Sequence, residues 1–172
     1  MLDTSAFIAG FDPFSVSEDQ VTVPKVEEEI RGNSMTWVRF KTAVENSRLK
    51  VKAPSEEYWN RAKASANMVG DSFFLSETDL QILALALELR AEGCTSQIVT
   101  DDYSIQNVAT QIGIDFVSLA TLGIRRLLEW IRYCPACHRE YPADHNSTKC
   151  AVCGTALKRK PRRTASNLKG TS

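Results

Sequence analysis

The sequence predicts an α/β fold in which a mainly parallel central sheet is flanked by helices, followed by a small second unit built around cysteines. Short β-prone runs alternate with helical patterns over the first 130 residues or so, as in βαβ units that form a parallel sheet. Two C-x2-C pairs stand near the C-terminus, a pattern typical of a metal site. A chain of 172 residues suffices for one ordinary domain and a small appendage.

Short apolar runs and helix-start signals define the first predicted elements. The first strand is only two residues long and runs directly into Asp3. Pro24 suits the first position of a helix, and Ser55 can cap another helix that ends before Gly70. The predicted strands of this part are 1–2, 21–23 and 49–52.

The most apolar helix of the sequence is LQILALALELRAE at 80–92. It is apolar on nearly every face, so we expect it to be buried. Ser76 can cap this helix and Gly93 can end it. Gly113 ends the next predicted helix. The further predicted elements are strands at 97–100 and 115–119 and helices at 104–112 and 122–132.

The composition divides the chain into an α/β domain at 1–130, a cysteine-rich ribbon at 131–157 and a tail at 158–172. The tail has six Lys or Arg residues, no acid and no apolar periodicity, so we expect it to be disordered. The net charge is zero, but residues 1–30 are rich in acids. This asymmetry favours a polyanionic partner and a cation site near the N-terminus.

Two observations predict a cytoplasmic protein that does not enter the membrane. No apolar run approaches the roughly 20 residues that span a bilayer. The N-terminal segment MLDTSAFIAG has no basic region of the kind that opens a secretory signal. In a reducing compartment, paired cysteines indicate metal binding and not disulfides.

The two C-x2-C pairs are separated by twelve residues and consist of Cys134, Cys137, Cys150 and Cys153. Four thiolates select a tetrahedral ion with no open position, so the predicted zinc is structural. Gly154 can supply the positive φ that such turns favour. Two disulfides are the alternative. Because four cysteines fill the tetrahedron, His138 and His145 are not expected to be ligands, and the lone Cys94 is expected to be a small buried apolar residue.

Several acids stand where a parallel α/β sheet places its ligands, after strands or near helix starts on the same edge. Carboxylates gathered there repel each other unless a divalent cation joins them, and Mg²⁺ or Mn²⁺ suits such oxygen ligands. Each acid also has a structural alternative, such as a helix cap for Asp3, a capping box with Ser76 for Asp79, or an Asx turn. The candidates are Asp3, Glu29, Asp79, Asp101 and Asp102.

Four segments, in their order along the chain, resemble the PIN domain: LDTSAFI, VPKVEEEIR, GDSFFLSETDLQILALALEL and TDDYSIQNVATQIG. Followed by a four-cysteine ribbon, they resemble the archaeal members of the Nob family. Those proteins are endonucleases that cut precursor small-subunit ribosomal RNA at the mature 3′ end. The resemblance covers most of residues 1–157 and implies a PIN-like domain with a small C-terminal zinc ribbon.

The resemblance implies a divalent-metal endoribonuclease and assigns its acids residue by residue. The family's first acid falls on Asp3, its helix acid on Glu29, and the acid before the buried helix on Asp79. The acid of the TD motif falls on Asp102, with Asp101 as a further candidate ligand. These acids are expected to hold a catalytic Mg²⁺ or Mn²⁺ ion.

The implied partner is RNA, namely precursor rRNA in the small ribosomal subunit, with ribosome assembly proteins as further partners. Ser5 and Thr100, beside the acids, could hold phosphate or orient a carboxylate. The alternatives are a toxin-like PIN ribonuclease acting on other RNA, a non-catalytic RNA-binding assembly factor, and a zinc ribbon that mainly binds protein. The basic residues expected to contact RNA are the tail together with Arg31, Arg39, Lys41, Arg48, Lys50, Lys52, Arg125 and Arg126.

Overall fold

The computed structural model describes residues 1–32, 34–69, 75–119 and 130–161. The chain divides into two compact units, Met1–Leu127 and Leu128–Ser172. Within the described residues, the first unit contains six helices and four strands, and the second contains three strands. No helix in these ranges is long and apolar enough to cross a membrane.

The sheet of the first unit is organised around the N-terminal residues. Its strands form two parallel pairs, β1 (Gln20–Thr22) with β2 (Leu49–Val51) and β3 (Gln97–Val99) with β4 (Asp115–Val117). Residues 1–3 connect the two pairs, because the Leu2 amide donates to the Val21 carbonyl at 2.9 Å and the Asp3 amide donates to the Val99 carbonyl at 3.2 Å. The short predicted strand at 1–2 is thus supported on both sides, and it delivers Asp3 to the carboxyl edge of the sheet.

The helices of the first unit begin and end largely where local signals predict. The predicted buried helix is present, and its residues from Ile82 to Ala86 are 0% exposed. Ser76 caps it, and Gly113 ends the following helix with a φ of 70°. The helices are α1 (Thr4–Ile8), α2 (Pro24–Ile30), α3 (Ser34–Glu45), α4 (Glu56–Val69), α5 (Glu77–Ala91) and α6 (Tyr103–Ile112).

Helix α3 has no counterpart in the sequence prediction. Its buried face consists of Thr36, Phe40 and Ala43, which follow helical spacing. Only Phe40 is a large apolar residue, so the apolar periodicity of the segment is weak. The helix is stabilised by packing, since the rings of Phe40 and Phe7 meet edge to face with centroids 5.4 Å apart.

The second unit corrects two predictions. Its strand β5 (Trp130–Tyr133) pairs antiparallel with both β6 (Glu140–Tyr141) and β7 (Lys158–Pro161). The helix predicted at 122–132 is therefore wrong at 130–132, and the disorder predicted for the tail is wrong at 158–161. The physical reason is strand pairing, which a local pattern does not reveal; Arg159 also stacks over the Trp130 ring at 3.5 Å. Gly70, residues 120–129 and residues 162–172 lie outside the described residues.

Candidate active site and metal centre

Asp3 lies at the carboxyl edge of the sheet and is 3% exposed. Its oxygen Oδ2 accepts hydrogen bonds from the Ser5 and Thr100 hydroxyls, each at 2.8 Å. Burial raises the pKa of Asp3 above its ordinary value, although both hydroxyls favour the ionised form. Neutral donors reduce the cost of burying a negative charge without cancelling it, so the position favours a nearby cation.

The same two hydroxyls connect Asp3 to the turn that follows β3. The Asp101 amide donates to Ser5 Oγ at 3.0 Å, and the Asp102 amide donates to Thr100 Oγ1 at 3.1 Å. Each hydroxyl therefore accepts from one backbone amide and donates to the buried carboxylate. This network fixes the position of Asp3 relative to the turn.

The adjacent acids Asp101 and Asp102 make different contacts. Oδ1 of Asp101 accepts from the Ser118 hydroxyl and from the Leu119 amide, so it ties the turn to the segment after β4. Oδ1 of Asp102 accepts from the Ser104 amide at 2.6 Å and caps α6. The charge of Asp102 also raises the pKa of Asp79, so Asp102 is electrostatically coupled to the other acids.

Asp79 forms a capping box with Ser76, which was the structural alternative to a role as a metal ligand. Its Oδ2 accepts from the Ser76 amide at 2.7 Å, and its own amide donates to the Ser76 hydroxyl at 3.1 Å. A helix N-terminus by itself lowers a carboxyl pKa. Instead, burial and then the negative charges of Asp102 and Asp3 raise the pKa of Asp79 from 3.8 to about 6. The cap and the electrostatic coupling to two other acids coexist in this residue.

Glu29 joins this group from the last turn of α2. Its Oε2 accepts from the Thr4 hydroxyl and its Oε1 from the Thr78 hydroxyl, each at 2.5 Å. Thr4 follows Asp3 in the chain and Thr78 precedes Asp79. The hydrogen bonds of Glu29 therefore place it beside the segments that carry two of the other acids.

The acids lie around a wider space than a compact metal cluster would need. Among the described residues, the four cysteines are the only group of three or more His, Cys, Asp or Glu side chains found close enough to hold one metal ion, with ligand atoms all within 4.8 Å of one another. Mg²⁺ keeps several waters and is commonly bound through one or two carboxylates. Burial raises the pKa of Asp3, and burial together with neighbouring negative charges raises the pKa of Asp79, so this all-oxygen donor set fits a hydrated divalent cation.

The cysteine cluster has the geometry of a tetrahedral thiolate site. The Sγ atoms of Cys134 and Cys153 lie 3.3 Å apart, and those of Cys137 and Cys150 lie 3.5 Å apart. A disulfide bond would require about 2.05 Å, and all four residues are free cysteines. The disulfide alternative is therefore absent from the structure, and the cluster fits a zinc ribbon.

Local contacts favour the thiolate form of Cys150 and Cys153, whereas hydrogen bonds with the neighbouring cysteines raise the pKa of Cys137 to about 11. The Val152 amide donates to Cys150 Sγ at 3.4 Å, and the Tyr141 hydroxyl lies 3.1 Å from the same sulfur. The Tyr141 hydroxyl is the main reason that the pKa of Cys150 falls to about 6. Gly154 adopts the expected positive φ of 72° after the second turn.

His138, His145 and Cys94 lie outside the four-cysteine cluster. His138 is exposed, and His145 stacks on the Tyr141 ring with centroids 4.4 Å apart. Cys94 is exposed, so the prediction that it is buried is wrong. It follows Gly93 in the turn after α5, beyond the face that the helix buries.

Most of the basic stretch between Arg31 and Lys52 is engaged in contacts within the protein. Arg48 donates to the Val16 carbonyl. Other residues of this stretch form ion pairs at the surface. Such exposed pairs are worth about 0–1 kcal/mol, so they do not prevent these Lys and Arg residues from binding phosphate. Arg125 and Arg126 lie outside the described residues. The ion pairs are Arg31–Glu27, Lys41–Glu45, Lys50–Asp19, Lys52–Glu88 and Lys52–Glu92.

Comparison with known proteins finds a matching family model and relatives that are similar along most of the chain. A family model described as the PIN domain of ribonuclease matches residues 1–89. Endoribonuclease Nob1 of Methanothermobacter thermautotrophicus is 37% identical over 95% of this chain and 93% of its own length. The protein of that name from Pyrococcus abyssi is 34% identical over 95% of this chain and 94% of its own length. Ribonuclease VapC1 of Thermoplasma acidophilum is 33% identical over 92% of this chain and 76% of its own length.

Proposed function

We propose that this chain, which belongs to the Nob1 family of PIN-domain endoribonucleases, cleaves precursor small-subunit rRNA at its mature 3′ end. The observation that supports the proposal is the extent of the similarity, which spans 95% of this chain and 93% of the length of the relative. The rRNA substrate is what the resemblance to this family implies. Ribosome assembly proteins are then the expected partners.

The proposed catalytic residues are Asp3, Glu29, Asp79 and Asp102, with Asp101 as a further candidate. These residues would hold a Mg²⁺ or Mn²⁺ ion, and the bound ion would act as the Lewis acid for phosphodiester hydrolysis. The hydroxyls of Ser5 and Thr100 orient the carboxylate of Asp3, and those of Thr4 and Thr78 orient the carboxylate of Glu29.

The proposed role of the ribbon is structural and RNA-binding. Cys134, Cys137, Cys150 and Cys153 hold one zinc ion in a closed site, which leaves no position for substrate chemistry. The strand β7 and the residues after it supply cations to the phosphate backbone. Lys158 is exposed on this strand.

The test uses labelled precursor rRNA that extends beyond the mature 3′ end, with Mn²⁺ present. Wild-type protein should cut once at the mature end, while Asp3→Asn and Asp102→Asn should lose at least about 100-fold in rate, as expected when a metal-holding charge is removed. Both variants should keep their fold and RNA affinity. Asp115→Asn is the matched control, because Asp115 is an exposed acid in β4. Cleavage by Asp3→Asn at the wild-type rate would contradict the assignment of the acids.

A second candidate is a ribonuclease that acts on other RNA. The similarity to ribonuclease VapC1 over 92% of this chain is the observation that favours it. Presenting precursor rRNA, transfer RNA and messenger RNA side by side separates the two functions. Faster cutting of transfer or messenger RNA would replace the rRNA proposal with this one.

A further inference from the structure

Three consecutive glutamates in α2 have different partners. Glu27 pairs with Arg31 at 2.8 Å, one helical turn away, and Glu28 pairs with Lys25 at 3.1 Å. Glu29 instead accepts from two threonine hydroxyls that belong to other elements. Glu27 and Glu28 are therefore paired with cations of the same segment, whereas Glu29 is held by neutral donors.

The two threonines hold both oxygens of Glu29 from opposite parts of the sequence. Thr4 is the first residue of α1 and donates to Oε2, while Thr78 lies in the first turn of α5 and donates to Oε1. Thr78 is 3% exposed. A hydroxyl has one proton to donate, so each threonine commits its proton to the Glu29 carboxylate.

A glutamate side chain has three rotatable bonds, and ordering an exposed one costs roughly 1–2 kcal/mol of conformational entropy. Hydrogen bonds to both oxygens hold the carboxylate in one orientation before a cation arrives. Because the donors are neutral, they do not compete with the cation for the charge of Glu29. A lysine or arginine in their place would cancel that charge.

We infer that Thr78, together with Thr4, is a positioning residue that presents Glu29 to the divalent cation. The inference rests on the proposed function, because it requires Glu29 to belong to the metal site. Thr78 touches neither the cation nor the RNA in this role and acts only through the carboxylate. In this proposal the first turn of α5 supplies two residues to the site: Asp79 as a ligand of the cation, and Thr78 as the residue that orients Glu29.

The measurement is equilibrium Mn²⁺ binding to the full chain without RNA, followed by the electron paramagnetic resonance signal of free Mn²⁺. Thr78→Val keeps the shape of the side chain and removes the hydroxyl, and it should weaken Mn²⁺ binding about tenfold, equivalent to about 1.4 kcal/mol. Thr78→Ser restores the hydroxyl and should bind within about twofold of wild type, below about 0.4 kcal/mol. Thr42→Val is the matched control, because the Thr42 hydroxyl donates to the Val38 carbonyl within α3.

A second background separates positioning from a general loss of stability. In Glu29→Gln protein, Thr78→Val should cause no further loss of Mn²⁺ affinity, since the carboxylate it positions is gone. An equal loss in both backgrounds would overturn the inference, as would wild-type affinity in Thr78→Val. If Thr78→Val does not fold, Thr4→Val tests the other oxygen in the same way, and wild-type affinity there overturns the inference.

The Glu29→Gln variant also distinguishes this inference from the proposed function. If Glu29→Gln binds Mn²⁺ as tightly as wild type, Glu29 is outside the metal site, so its proposed catalytic role and the positioning role of Thr78 both fail while the cleavage proposal still rests on the Asp3 and Asp102 variants. If Glu29→Gln binds weakly while Thr78→Val binds normally, the metal site stands and only the positioning role is rejected. Weak binding by both single variants, without additivity in the double variant, supports both.

Discussion

The acid site and the cysteine cluster are both proposed metal centres, but they are assembled in different ways. The cysteines lie within twenty residues of one another, in turns beside the strands of a small sheet, and their sulfurs meet within 4.8 Å. The acids come from four separate parts of the first unit. Hydroxyl groups from other segments hold Asp3 and Glu29, and the charges of Asp3 and Asp102 act on Asp79. One centre depends on local turns, and the other depends on the packing of the whole α/β core.

This difference predicts opposite responses to losing a ligand. In the ribbon, the metal replaces a hydrophobic core, so a lost ligand should unfold the unit. In the α/β unit, a core led by Ile82, Leu83, Leu85 and Ile98 supplies the stability. A lost acid should therefore remove function and leave the fold.

The largest effect is expected from Cys150→Ser. This change should reduce bound zinc from one ion per chain to none and unfold the ribbon, since a structural zinc contributes about 10–16 kcal/mol to folding of so small a unit. The thermal unfolding of the α/β unit should persist. Elemental analysis and calorimetry under reducing conditions measure both quantities. Cys94→Ser, a change at an exposed cysteine outside the cluster, is the control; zinc retained by Cys150→Ser would contradict the four-cysteine site.

The next effect concerns RNA binding by the residues after β7. Because residues 158–161 form a strand, the informative deletion removes only 162–172. It should lower the slope of log affinity against log salt by up to about 2, since each phosphate contact contributes about 0.7 for single-stranded RNA. Filter binding over a range of salt concentrations measures this slope. Replacing Arg162, Arg163 and Lys169 by Gln should reproduce the deletion; an unchanged slope in both would exclude contact between these residues and RNA.

A smaller effect is expected in the pH dependence of stability. The pKa of Asp79 is about 6 in the folded protein against 3.8 ordinarily. A raised folded pKa stabilises the protein below pH 3.8, and that stabilisation is lost as pH rises through about 6. Relative to wild type, metal-free Asp79→Asn should therefore gain stability between pH 4 and pH 7. The gain should stay below about 3 kcal/mol, at about 1.4 kcal/mol per pKa unit reduced by solvent screening.

Denaturant titrations at several pH values give that difference, and they cancel the titration of groups that both proteins share. Saturating Mn²⁺ at pH 7 should stabilise wild type more than Asp79→Asn, because the cation offsets the repulsion that the substitution removes. A difference in stability that does not change with pH would show that Asp79 serves only as a cap.

The smallest effect is expected from Ser76→Ala. The Ser76 hydroxyl accepts from the Asp79 amide at 3.1 Å, and loss of such a cap costs about 1 kcal/mol. Chemical denaturation measures this cost, and Ser65→Ala, in the middle of α4, is the control. A loss of cleavage without a loss of stability would show that the capping box also orients Asp79 for catalysis.

Local signals in the sequence account for most helices and strands of the first unit. Ser76 and Gly93 bound α5, Gly113 ends α6, and Pro24 begins α2. Segment boundaries differ by a few residues, as at α5, where the predicted start at 80 lies after the observed start at Glu77. Caps, prolines and glycines act within one helical turn, so they can be interpreted without knowledge of any partner.

The features that the sequence did not predict share one cause: each depends on contact with residues that are distant in the chain. Helix α3 is stabilised by contact with Phe7, and the strand β5 by pairing with β7, about 30 residues later. The exposure of Cys94 likewise depends on where α5 ends against the core. None of these partners can be recognised from a window of ten residues.

By itself, the sequence determined the ligand types and the local turns: four cysteines at C-x2-C spacing, acids after strands and at helix starts, and the resemblance that grouped them. Only the tertiary structure decided that Ser5 and Thr100 share Asp3, that Asp101 and Asp102 make different contacts, and that Thr4 and Thr78 hold Glu29. The physical reason is range. A turn or cap is stabilised by neighbours in the chain, whereas a hydroxyl reaches a carboxylate 49 positions away only after the helices have packed.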